Sequence, residues 1–281
     1  MQRRARSFLL TEKVVRAILE APKRLFFILN RMNISIAAEQ LFTIGAFSVT
    51  NALLIGILVS VLLMTLLSRS IRRLQTVPSR TQSGIEVVFE GLLNLIESVT
   101  HDKKQAQQFF PLIATIFLFV LFSNWAGLLP GVGTVGVMGE HHGQATIIPF
   151  LRSTSADLNF TLALSLITVI VVQFTGIAAL GIRKYGSKFF ISPFQKPYVI
   201  GMFVGILELI SEIGKTISFT FRLFGNVFAG EVLLTVMLHL VPYILPVPFL
   251  MMEVFVGLIQ ATVFAMLTLV FLKMATVEPH H

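Results

Sequence analysis

Four stretches of this chain, Leu41 to Leu67, Phe109 to Leu129, Leu158 to Ile182 and Phe249 to Leu272, are long and apolar enough to cross a bilayer core, which takes about 20 residues of helix. In hydrocarbon each backbone N–H and C=O has to be satisfied within the span, so such runs fold as helices. A fifth stretch is longer and less clean. From Tyr198 to Val241 the chain stays largely apolar yet carries Glu208, Glu212, Lys215, Arg222, Glu231 and His239, and Pro193 and Pro197 precede it, as suits a helix start. At 1.5 Å per residue this would be one helix about 65 Å long, against roughly 30 Å of hydrocarbon. It lies very oblique, or it breaks near Gly225 or Gly230. The expected fold class is an all-α integral membrane protein with about five membrane-inserted helices, including a long oblique helical hairpin, plus an interfacial amphipathic helix.

The chain is 55% hydrophobic and only 13% charged, against roughly 25% charged residues in a soluble domain. Its formal net charge of +8 would point to nucleic acid in a soluble protein. Here the basic residues collect between apolar runs, so they read as topology signals facing anionic membrane lipid, with no nucleic acid as partner. The absence of cysteine excludes disulfides, thiolate metal sites and thiol nucleophiles. Three regions are expected: a basic amphipathic segment over 1–40, one membrane domain over 41–275 and a tail over 276–281. In the first, Phe8, Leu9, Val15, Ile18 and Leu19 group as on a lipid-surface helix, while Glu12 and Glu20 weigh against an organelle targeting segment. Between the first two spans, SGIEVVFEGLLNLIESV sets Ile85, Val88, Phe89, Leu92, Ile96 and Val99 against Glu86, Glu90, Asn94 and Glu97, the pattern of an interfacial helix. Arg69, Arg72, Arg73, Arg80, Lys103 and Lys104 fill one short loop and Arg183, Lys184, Lys188 and Lys196 another, against Arg152 alone in 131–155. The positive-inside rule then puts the N-terminus outside and the C-terminus in the cytoplasm.

Several attractive patterns carry no chemistry. GVGTVG at 131–136, with Asp157 downstream, matches a dinucleotide fingerprint but follows a membrane span and Pro130 instead of a strand. GEHHG at 139–143 offers adjacent histidines that do not share a helix face and lacks further spaced ligands, so no metal is expected. Trp125, Tyr185, Tyr198 and Tyr243 read as an interfacial aromatic belt. No hydrolase motif occurs, and no cofactor is implied.

The charged residues of 198–241 are different. On a helical wheel at about 100° per residue, Glu212, Lys215, Arg222 and Asn226 all fall within about 40° of Glu208. An intramembrane charge costs about 2.5 to 3.5 kcal/mol on insertion scales, so such a stripe faces water, a polar partner or itself. Glu212 and Lys215 can neutralise each other. Arg222 has no acid within four positions, and its partner lies elsewhere. Glu208 and Glu212 lie toward one side of the membrane and Glu231 toward the other, with Glu253 and Gln260 sharing a face of the last span. Polar groups thus reach in from both sides with a permanent cation between them. That is the layout of two half-channels.

SFTFRLFGNVFAGEVLL at 218–234, GLIQATVFAMLTLVFLKMA at 257–275, NWAGLLPG at 124–131 and SADLNFTLALSL at 155–166 together resemble subunit a of the rotary F-type ATP synthase membrane sector, over roughly residues 40 to 275. The resemblance implies a stator subunit, not catalytic alone, that carries protons (or Na⁺) to and from a rotating c-ring and meets peripheral-stalk subunits. It implies that Arg222 faces the ring carboxylates, that Asn226 and Gln260 flank it, and that Glu231 and Glu253 line the outer path. Relatives often pair a carboxylate with an imidazole at those last two positions, and here both are glutamate. Glu208, Glu212, Lys215, Asp157, Asn159 and His239 are secondary candidates. A bacterial plasma membrane is the expected location, with an organelle inner membrane as the alternative. The competing functions are a secondary ion-coupled transporter, which would need an internal repeat, and a non-transporting structural subunit.

Overall fold

The computed structural model describes residues 38–277 except 46, 73–78, 130–131, 133–135, 142–143, 187–197, 241–243 and 245. The expectations for the N-terminal segment and for Pro193, Pro197, Lys188, Lys196 and Tyr243 lie outside the described residues.

The first apolar run does not begin as a span. Gln40–Ile44 (β1) and Phe47–Thr50 (β2) pair antiparallel, with Ile44 opposite Phe47. Gly45 has φ +64°, a value that a tight hairpin needs and glycine adopts freely. Thr43, Phe47, Val49 and Thr50 are residue types that fit a pleated strand. The membrane helix α1 therefore starts at Asn51 and runs to Arg72, ten residues later than hydropathy alone indicates.

Asn51 is fully buried and ties three segments together. Its backbone N–H donates to the Glu39 carbonyl (3.1 Å), its Nδ2 to the Pro149 carbonyl (3.2 Å), and its Oδ1 accepts from the Ala52 N–H (2.9 Å). Thr154 Oγ1 adds a bond to the Ala52 carbonyl (3.2 Å). Buried amides keep such bonds because a lost partner leaves the group unsatisfied.

The helix α2, Arg80–Thr100, is capped by Ser79, whose side chain accepts from Gln82, and stopped by His101 at φ 55°. It is amphipathic as expected: Phe89, Leu92, Ile96 and Val99 turn inward, while Glu90 and Asn94 are exposed. Phe89 packs edge-on to Phe110 at 5.7 Å. α3, Lys103–Ala126, starts one residue after its cap, Asp102. A second hairpin follows, β3 (Gly136–His141) with β4 (Gln144–Pro149), and then a single 3₁₀ turn over Thr154–Ala156. α4 is Leu158–Leu180, capped by Asp157, and α5 is the short Ile182–Gly186.

The long stretch forms one helix, α6, Tyr198–Leu240, without a break at Gly225 or Gly230. α7, Pro246–Thr276, is the last element among the described residues. Among the described residues, five helices are long and apolar enough to cross a membrane: α1, α3, α4, α6 and α7.

α3 packs along α7, α4 along α6, and α6 and α4 against α7. Ile113, Val120, Leu223, Leu269 and Leu272 are buried between them. Ile57 and Val61 of α1, Phe174 of α4 and Met251 and Phe255 of α7 point outward, as apolar side chains do where lipid is the solvent. One end of the bundle gathers both hairpins and the 3₁₀ turn. At the other, Lys273 Nζ donates to the Val99 carbonyl (2.5 Å) and Gln105 to Thr276 (3.0 Å), near Arg72, Arg80, Lys103, Lys104 and Arg183. These are the hairpin side and the basic side.

Candidate ion path

The antiparallel contact of α6 with α7 sets the register of the site. The Glu253 carboxyl lies so close to Gly230 that a Cβ there would collide with it. Further along, the Phe219 ring packs tilted against Phe264 at 4.7 Å and edge-on to Phe271 at 5.5 Å. This register carries Gln260 to the level of Leu223, the residue after Arg222. Glu253, Gly257, Gln260, Ala261 and Phe264 are all buried, so Glu253 and Gln260 do share the inward face of α7.

Arg222 stands at the middle of the span of α6, which covers Gly205–Leu238. It is exposed, as are Phe221 and Asn226. Neither Arg222 nor Asn226 makes a hydrogen bond or ion pair with the described residues. On the opposite face Phe219, Thr220, Leu223 and Val227 are buried, and Thr220 Oγ1 lies 2.5 Å from Ser165 Oγ of α4. The helix thus turns its permanent cation away from its own bundle.

On the hairpin side of Arg222, Glu231 Oε1 is 3.6 Å from Arg152 Nε. Its Oε2 is buried with no hydrogen-bond partner among the described residues. Asn124 Nδ2 donates to the Gly257 carbonyl (3.2 Å) and Trp125 Nε1 to the Val254 carbonyl (3.0 Å), either side of the turn that follows Glu253. Oxygens of Ser123, Asn124, Ser153 and Ser155 are also buried without a hydrogen-bond partner among the described residues. The end of α3, the segment at Arg152 and Ser153 and the 3₁₀ turn therefore bring buried polar groups to the same end of the bundle as Glu231 and Glu253.

On the basic side, Lys215 Nζ is 2.6 Å from Glu212 Oε1 and 5.0 Å from the centre of the Phe271 ring. The self-neutralising pair is thus present. Glu208 is half-buried. Tyr185, expected in an interfacial belt, is instead 4% exposed and donates to Gln173 Oε1 at 2.5 Å. α5 turns it back into the bundle, and a Cβ at Gly176 would run into its ring. Its hydroxyl pKa is pushed up to about 12, first by burial and then by the charges of Glu212 and Glu208.

Asp157 is the N-cap of α4, its Oδ1 accepting from the Asn159 N–H at 3.0 Å, and Asn159 is exposed. The side chain of His239 lies outside the described residues. Arg152, Asn124 and Asn51 are the positions that sequence reasoning passed over. Arg152 carried a signal only as the single basic residue of its loop.

The model of the family described as ATP synthase A chain matches residues 50–273. The chain belongs to this family. ATP synthase subunit a of Campylobacter jejuni subsp. jejuni serotype O:23/36 (strain 81-176) is 32% identical over 220 residues, covering 78% of this chain and 87% of that one. The subunits a of Helicobacter pylori (strain Shi470) and Moorella thermoacetica are 33% and 29% identical, each over 83% of this chain and over 95% and 94% of their own lengths. The A chain family is a membrane-sector family of ATP synthase, so this chain is an ion-translocating stator subunit of that complex, integral to a bacterial-type membrane and not catalytic alone. A transporter or a purely structural role is not favoured.

Proposed function

We propose that Arg222 is the fixed charge that separates two proton half-paths, and that the exposed face of α6 meets the carboxylates of a rotating ring of small subunits. One observation carries this: an arginine at mid-span, turned outward, with no partner among the described residues. Charge at membrane depth is expensive, so it faces a polar partner outside the chain. A ring carboxylate crosses lipid only when protonated, because the ionised form is heavily penalised there. Beside Arg222 the guanidinium favours the ionised form, and the proton leaves by one half-path. As the ring turns, the carboxylate takes a proton from the other. A guanidinium stays charged at any working pH and so bars direct proton flow between the paths, whereas a buried lysine can lose its charge.

The outer half-path runs from the buried polar groups by Glu231 and Glu253 past Gln260 and Asn226, and the inner one from Arg222 toward Glu208 and the Glu212–Lys215 pair. The basic side faces the cytoplasm, by the bias of Arg69, Arg72, Lys103, Lys104 and Arg183. Residues 41–275 act as one membrane domain, which also meets peripheral-stalk subunits and anionic lipid.

ATP-driven proton uptake by vesicles carrying the whole complex tests this. Arg222→Ala abolishes uptake and Arg222→Lys nearly so, with assembly retained. Normal pumping by Arg222→Lys sinks the role. In the same vesicles a cysteine at Glu90 reacts only from the face to which ATP is added, and labelling from the other face reverses the orientation.

A further inference from the structure

We propose, building on the reading of Glu231 as part of the outer half-path, that Arg152 is a positioning residue: a second fixed cation that holds one oxygen of Glu231 and leaves the other to the path. Arg152 belongs to the segment between β4 and the 3₁₀ turn, outside the spans. Its side chain is 7% exposed while that of Glu231 is 36% exposed. A guanidinium taken this far out of water needs a carboxylate partner, and Glu231 Oε1 is 3.6 Å from its Nε. Glu231 Oε2 is buried and accepts no hydrogen bond from the described residues. The carboxylate is therefore held on one oxygen, and the other has no hydrogen-bond partner among the described residues, next to Gly230, where the Glu253 carboxyl sits.

The position of Arg152 is fixed from both flanks. Three residues before it, the Pro149 carbonyl takes Asn51 Nδ2 (3.2 Å), and two residues after it, Thr154 Oγ1 reaches the Ala52 carbonyl (3.2 Å). Between these, Ser153 lies against Gly127 at the end of α3, 2.5 Å from where a glycine Cβ would be. The same Asn51 holds the backbone of Glu39, which brings a further negative charge within electrostatic reach of Glu231. Glu39 and Glu231 thus face each other as like charges at this end of the bundle, and Arg152 bridges to Glu231. Without it, Glu231 faces like charge and swings from the path. Arginine fits the task because its planar guanidinium is weakly hydrated and rigid.

The test uses vesicles carrying the whole complex, with subunit incorporation measured alongside ATP-driven proton uptake. Arg152→Gln slows uptake about tenfold or more. Arg152→Lys, which keeps the charge, recovers several-fold of that loss. In a Glu231→Gln background, Arg152→Gln adds no further loss, because Arg152 acts through Glu231. Parental uptake by Arg152→Gln, equal loss in the lysine and glutamine variants, or multiplicative loss in the double variant each overturns the assignment. If Arg152→Gln does not incorporate, Glu231→Gln beside it restores incorporation, and failure to do so also overturns it. Arg222→Ala is carried in parallel. Uptake by that variant sinks the half-path reading itself, whereas its silence with a normal Arg152→Gln sinks only the role of Arg152.

Discussion

Gly230 shows, at the level of single atoms, how the helices that carry Glu231 and Glu253 meet. Glycine inside a helix costs about 1 kcal/mol relative to alanine, yet here it leaves the room that the Glu253 carboxyl occupies. Gly230→Ala favours the helix and displaces the carboxyl. The expected outcome is a complex that assembles and pumps at least about tenfold more slowly, equivalent to about 1.4 kcal/mol of lost barrier lowering. Adding Glu253→Asp, one methylene shorter, recovers part of the rate. Parental pumping by Gly230→Ala alone means that Glu253 works from another position. The two residues also mark what sequence could reveal. A glutamate in an apolar span is conspicuous by its cost, and so was Arg222. Nothing in MMEVFVGL or FAGEVLL says that the neighbour of Glu231 is the one that touches Glu253, nor that Glu231 itself meets an arginine in a distant loop. Pairings of that kind arise from helix register and loop return, which leave no local pattern.

Elements were legible where lipid dictates the answer and illegible where short-range chemistry does. α3, α4 and α7 lie where hydropathy put them, and the amphipathic spacing of α2 identified its inward face. The hairpin β1–β2 was hidden inside an apolar run because Phe, Val, Ile and Thr serve strands and membrane helices alike. α5 was missed for the opposite reason, being too short to show a period. Its consequence is Tyr185, whose burial, not an interfacial position, is what the structure shows. An unfolded tyrosine ionises near pH 10, and folded Tyr185 near about 12. The protonated form is thus favoured in the folded state. Its contribution is complete below about pH 10 and lost as pH rises through about 12. Tyrosinate absorbance of the purified complex, minus that of Tyr185→Phe, should titrate with a midpoint near 12. A midpoint near 10 means that α5 is not latched onto Gly176 and Gln173.

At the scale of the whole molecule, the bundle is one-sided. α6 buries Phe219, Leu223 and Val227 against α4 and α7 and leaves Ile210, Ile213, Ile217, Phe221 and Arg222 outside. Interleaved with them are Gly214, Ser218, Gly225 and Ala229, and a Cβ built at Gly214 or Gly225 meets nothing within 4 Å. Small residues between helices let backbones approach closely in lipid, so on the proposed reading this face admits a helix close to Arg222. Long-range packing decided which face this is, and the wheel alone showed only that charges share a stripe. The two glycines of α6 therefore separate internal from external constraint. Gly230 is closed by the chain itself and Gly225 is open to whatever runs past. Gly225→Leu should leave the fold and incorporation into the complex intact, because the Cβ position meets no atom of the chain within 4 Å, while ATP-driven pumping falls because the added side chain stands in the way of the ring. A cysteine at Gly225 should cross-link to a cysteine near the carboxylate of the ring helix. Normal pumping by Gly225→Leu, with no cross-link formed, means that the ring passes a different face of α6 and that Arg222 meets its partner from elsewhere.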